Sequence, residues 1–327
     1  MAKTQAYCPG MPNSGDVALL RLLGWFMRGE SGVVPIEIRD TLDARRLHEH
    51  RLLGLAYSAG LSEFRDDFIR VALSAELWKQ GLSEVLSAFS EAGICACRLK
   101  GCAYFTDVYD DPAHRSMGDL DILVPPDSFE RATQVLRDLG YATRTTKDFV
   151  YAPTHHALTF DRGSLTVDLH RHMMQAGRSR IDIEGIWNRA DLAANRPAPL
   201  DEIALHISHM VRSELQVPLA AFIDLALLLR QCRYSRAEVV AHCDAFRIGR
   251  GARAVLAMHD SLREGKSGRV LPYPMPSSLE LVRSEAFPRL RTILMKAYLV
   301  QGPRELMGLA RTTLLERSRR WQSRPRR

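Results

Sequence analysis

The segment HRSMGDLDILVPP, residues 114–126, constrains this chain more than any other. Leu120, Ile122 and Val124 alternate as in a buried strand, which Pro125 and Pro126 end. That period of two puts Asp119 and Asp121 together on the opposite face. Two carboxylates side by side repel each other and lose hydration, so something must compensate them.

A third acid is available downstream. HHALTF, a DRGS turn and LTVDLHRH read as a hairpin. Asp168 sits on its second strand, sharing a face with Thr166 and His170. Brought beside the first pair, the strand-borne acids Asp119, Asp121 and Asp168 would hold one or two divalent ions, since Mg²⁺ takes an oxygen shell with positions left for water and phosphate. Such a site suits nucleotidyl transfer, with metal-neutralised phosphates and an acceptor hydroxyl activated at the carboxylates. His170, on the same face, is placed to orient phosphate or acceptor. Upstream, Leu99-Lys100-Gly101 reads as a strand turning into a helix. Lys100 and Gly101 there, with Arg115 and Ser116 just before the acid pair, are the expected triphosphate contacts.

The rest of the chain frames this core. Residues 1–92 read as helical, with Asp16 expected to cap the first helix and the last ending near Gly93. Residues 93–195 alternate short strands with helices, and residues 196–310 return to helices. The expected class is α+β: a small mixed sheet flanked by N- and C-terminal helical regions. Net charge is +7, but residues 311–327 carry seven arginines against one glutamate, leaving +1 for everything before them. The basicity thus belongs to a C-terminal tail, suited to an anionic partner such as nucleic acid or a membrane surface. VPLAAFIDLALLL (217–229) is too short to span a bilayer, so no transmembrane segment is expected. The start lacks a basic-then-apolar leader, which points to a cytoplasmic protein.

Other features are set aside. Cys95 and Cys97 should share one face of a strand and, with Cys102, form no tetrahedral set, so reduced thiols are expected. GKSG at 265–268 has Asp260 where a phosphate loop needs glycine. His206 and His209, three apart on a helix, read as core or surface histidines. No GxSxG elbow is present.

RLKGCAYFTDVYDDPAHRSMGDLDILVPP followed by TVDLHRHM resembles a bacterial family of uncharacterised nucleotidyltransferases within the DNA-polymerase-β-like superfamily. The likeness rests on Leu99-Lys100-Gly101, Tyr109, Asp111-Pro112, Arg115, Gly118-Asp119-Leu120-Asp121 and Val167-Asp168-Leu169-His170. Flanking helices match only in character, including a later Asp224 within an apolar helix. The resemblance implies a minimal nucleotidyltransferase fold whose three acids bind Mg²⁺, or Mn²⁺, and an NTP, with ATP the first candidate. It leaves the acceptor open: saccharide, peptide or protein. Lys100-Gly101-Cys102 stands where the wider superfamily has Gly-Ser, which supports the rival expectation of a nucleotide-binding or partner-binding module without turnover.

Overall fold

The computed structural model describes residues 13–39, 41–144, 156–173, 179–272, 274–283, 287–307 and 310. The arginine-rich tail, residues 311–327, lies outside the described residues. Helices come first: α1 (Ser14–Arg28), α2 (Ile36–Arg39), α3 (Ala44–Glu49), α4 (Leu53–Ser58) and the long α5 (Arg65–Glu91). Asn13, not Asp16, caps α1. Its side chain accepts from the Asp16 amide, and Asp16 at the third helical position reaches back to the Asn13 amide. Asp16 is thereby freed to pair with Arg46 and Arg283, the latter at 2.9 Å, tying α1 to distant segments.

The middle of the chain builds one five-stranded sheet. In order along the chain come β1 (Cys97–Arg98), α6 (Gly101–Asp107), β2 (Leu120–Leu123), α7 (Phe129–Asp138), β3 (Ala142–Thr143), β4 (Ala157–Arg162) and β5 (Leu165–His170). The spatial order is β1-β2-β5-β4-β3, and β2 runs parallel to β5 while the other neighbours are antiparallel. The fold class is α+β, as the alternation of patterns predicts. Only Cys97 and Arg98 pair in the first strand; Cys97 is buried, and Cys95, ahead of the strand, is exposed.

Two apolar cores hold the sheet. Leu120, Ile122, Leu158, Phe160, Val167 and Leu169 pack with Trp78, Leu82, Val85 and Phe89, a stripe at helical spacing along α5. Each fully buried large side chain contributes roughly 1.5–3 kcal/mol. Gly81 in that stripe lets Leu165 press against the helix, since a Cβ there would lie 2.6 Å from a leucine methyl. The second core gathers the later helices: α8 (Ile183–Arg189), α9 (Pro199–Arg212), α10 (Ala220–Cys232), α11 (Arg236–Ala245), α12 (Gly249–Arg263), α13 (Ser278–Val282) and α14 (Arg289–Leu299). Leu19, Leu22 and Leu23 of α1 belong to this core, so the two ends of the described chain share one apolar interior. Leu123, on the other face of β2 from Ile122, also joins it, along with Leu99. The carboxylate side of β2 therefore faces the C-terminal helices. No helix among the described residues is long and apolar enough to cross a membrane.

Candidate functional site

Strand register does the first part of the work. β2 pairs with β5 so that Asp121 is the direct partner of Asp168, and Leu123 of His170. Parallel partners present their side chains to the same face, so acids 47 positions apart in sequence meet without any loop. Ligand atoms of Asp121, Asp168 and His170 lie within 4.8 Å of one another. Asp119, just ahead of β2, is not in this group; it lines the adjoining cavity together with Asp121.

Each carboxylate is held from one side. Asp121 Oδ1 accepts from Lys100 Nζ at 2.5 Å and from His170 Nε2 at 2.8 Å. Thr159, across from Asp168 in the β4–β5 ladder, donates to Asp168 Oδ1 at 2.6 Å. Among the described residues no hydrogen bond reaches the Oδ2 of either acid, and buried Nδ1 of His170 has no partner. Two carboxylates, each with an Oδ2 left unbonded, thus converge beside the imidazole that orients one of them. That donor set fits a divalent cation such as Mg²⁺ or Mn²⁺.

The electrostatics divide the acid pair. Burial works to raise Asp121, but Lys100 and the His170 hydrogen bond outweigh it and hold this carboxyl well below its usual range. Asp119 moves the other way: burial and the charges of Asp121 and Asp168 raise it, against Lys100 and Arg51. A positive ion among the three acids is the charge this arrangement favours.

Lys100 reaches Asp121 through an unusual backbone. It has φ +52° immediately before α6, a region that L-residues seldom occupy. Gly101 follows, and a Cβ there would lie 3.2 Å from Arg115 Nη2 and 3.3 Å from the Met117 sulfur. The glycine therefore admits the arginine against the start of the helix.

Arg115 itself is committed elsewhere. Its Nε and Nη2 each donate to Asp224 at 2.9 Å, and Nη1 donates to the Ser116 carbonyl. The Tyr109 hydroxyl completes the set with a 2.8 Å bond to the same carboxylate. All three side chains are buried. Burial would lower the arginine, but Asp224 outweighs it and holds the guanidinium above its ordinary value. Arg115 is thus a buried strut between the acid-bearing segment and α10, and it also lines the cavity beside the acids. Ser116 goes elsewhere too. The backbone is extended at Arg115, so the next side chain turns away, into a separate hollow of about 230 Å³ with Asp67, Arg70 and Ser74.

A cavity of about 210 Å³ opens beside the acids, lined by Arg51, Lys100, Asp119, Asp121, His206 and His209 among others. A hollow three times larger, about 650 Å³, is walled by Trp25, Phe26 and Arg230. It touches none of the three acids, so the chemistry belongs to the smaller one. His206 and His209 are pocket residues on α9. Nε2–H of His206 donates to the Ala221 carbonyl at 2.8 Å, which leaves a buried Nδ1 lone pair without a partner. Burial lowers both histidines, and for His209 the Lys100 charge adds to it, which favours the neutral form of each. Their i, i+3 spacing was the available signal in the sequence. Arg51 had none, because it reaches the site from the turn after α3, far from every motif.

No curated protein matches this chain. Among solved structures, that of the antibiotic-resistance factor ANT(2'')-Ia is similar at 15% identity and a TM-score of 0.35, over 56% of this chain and 97% of that one. So low a score carries no weight for the site. The decisive match is to the family described as "Uncharacterised nucleotidyltransferase", whose model covers residues 42–263, from just before α3 through the sheet to the end of α12. The chain belongs to this nucleotidyltransferase family, and it is a transferase.

Proposed function

We propose that the protein transfers a nucleotidyl group from an NTP, ATP being the first candidate, to a hydroxyl or phosphate of a saccharide, peptide or protein acceptor. The observation that carries this reading is the Asp121–Asp168 register, which gathers two carboxylates and His170 within 4.8 Å beside a cavity lined by Arg51 and Lys100. Asp119, Asp121 and Asp168 would hold Mg²⁺ or Mn²⁺, which when bound neutralises phosphate charge and lowers the pKa of the attacking hydroxyl. Lys100 and His170 fix the Asp121 carboxylate through Oδ1, leaving Oδ2 free for a ligand. Thr159 does the same for Asp168, whose Oδ2 accepts the proton of the acceptor hydroxyl. The acceptor oxygen bonds to the α-phosphorus as the bond to the β-phosphate breaks and pyrophosphate leaves. Gly101 gives the cavity floor its close approach. Nucleoside triphosphate pools favour a cytoplasmic setting for this chemistry.

The test is release of pyrophosphate from α-labelled NTPs across an acceptor panel. Asp121→Asn and Asp168→Asn should each lower the rate by about 10²-fold or more, and EDTA should abolish it. NTP binding without pyrophosphate release for every acceptor would favour the non-catalytic module instead.

A further inference from the structure

Every cation of the cavity except one is already spoken for. Lys100 pairs with Asp121, and Arg115 with Asp224. Arg51 also lines this cavity, yet among the described residues no hydrogen bond or ion pair reaches its guanidinium. A half-buried guanidinium with five unused donors calls for an anionic partner.

The surroundings of Arg51 are built to aim it. Its neighbours in sequence, His50 and Leu52, are buried and act as two anchors. His50 Nε2–H donates to the Val282 carbonyl at 2.7 Å, its Nδ1 accepts from the Leu219 amide at 3.4 Å, and its carbonyl accepts from the Ala220 amide at 3.2 Å. Between the anchors Arg51 is forced to φ +60°. Arg233 and Arg247 share such a φ, so strain alone marks nothing. What distinguishes Arg51 is where the strained backbone sends it. The guanidinium lies against Gly118, where a Cβ would stand only 2.7 Å from Nη2. The glycine preceding Asp119 therefore makes room for this arginine beside the acids.

We infer that Arg51, supplied by the N-terminal helices rather than by the sheet, is the arginine that grips the NTP triphosphate, with Gly118 as the backbone seat that positions it. The inference rests on the proposed nucleotidyl transfer and names the phosphate contact of that same site. A planar guanidinium offers two parallel donors to a phosphate, so the conservative lysine restores charge but not the fork.

The experiment is calorimetric binding of α,β-methylene-ATP with Mg²⁺, and of adenosine as the phosphate-free control, to the full chain. Arg51→Gly suits the positive φ and keeps the fold, which thermal unfolding checks. It should weaken α,β-methylene-ATP by about 10- to 100-fold, with adenosine unchanged. Arg51→Lys should fall between, and Gly118→Ala, which displaces the guanidinium, should weaken the triphosphate in the same direction. Unchanged triphosphate affinity in Arg51→Gly, or an equal loss for adenosine, overturns the inference while the proposed function stands. Failure of the wild-type chain to bind any nucleoside triphosphate would remove both.

Discussion

Cutting the Arg115–Asp224 strut should be a costly change, because both partners are buried. Arg115 is 5% exposed and Asp224 fully buried, and the carboxylate receives bonds from two guanidinium nitrogens and the Tyr109 hydroxyl. Asp224→Leu removes the countercharge and leaves a largely desolvated guanidinium that cannot lose its proton. The expected loss is about 3–5 kcal/mol. Arg115→Met should cost a similar amount, by stranding the carboxylate. The double variant Arg115→Met/Asp224→Leu strands nothing and replaces the ion pair with apolar bulk, so it should cost less than either single change. Urea unfolding followed by tryptophan fluorescence on all four proteins gives the coupling energy, expected to exceed about 2 kcal/mol. Single effects that add to within about 0.5 kcal/mol would refute the strut. So would a loss below about 1 kcal/mol for Asp224→Leu together with weakened NTP binding in Arg115→Met, the result expected of a free phosphate contact.

Three further outcomes follow from other parts of the molecule. Gly54→Ala would put a Cβ 1.8 Å from the Ala113 carbonyl oxygen, a backbone atom in the turn leading to Arg115; an overpacking loss of about 1–3 kcal/mol is expected by urea unfolding. His50, His206, His209 and His259 are all lowered from 6.5, with burial the largest cause in each. The unfolded chain therefore takes up their protons first, and the stability they contribute is whole above about pH 6.5 and lost as pH falls below it. An unfolding midpoint that stays flat from pH 7.5 to 5 would contradict this. Deleting residues 311–327 removes seven arginines and should reduce binding to anionic vesicles or to nucleic acid in a sedimentation assay, at about 1 kcal/mol per arginine that meets the anionic surface, while leaving nucleotide affinity intact; equal binding with and without the tail would dismiss it as an electrostatic contact.

Local pattern alone carried a good deal of this molecule. Alternation in GDLDILV and LTVDLH is enough to identify two strands and the faces of their acids, because a side-chain period of two survives any packing. The stripe Trp78, Leu82, Val85, Phe89 likewise announces a helix with one apolar side. What alternation does not contain is which strands become neighbours. The parallel β2–β5 pairing, and with it the Asp121–Asp168 contact, depends on the crossover through α7 and on both strands burying their other faces against α5.

The cations show the same division more sharply. Proximity in sequence pointed to Lys100, Arg115 and Ser116, and of these only Lys100 meets the acids directly. Arg115 is drawn off by Asp224, 109 residues away, since a buried guanidinium takes the strongest carboxylate within reach. Arg51 arrives through a turn pinned by His50 to residues 219, 220 and 282, contacts that exist only once the two ends of the described chain share a core. Strand, helix and acid-bearing face are thus written in local periodicity, because each is a property of neighbouring residues. The pairing of charges was decided by tertiary structure, because desolvation and Coulomb energy depend on distance in space and not along the chain.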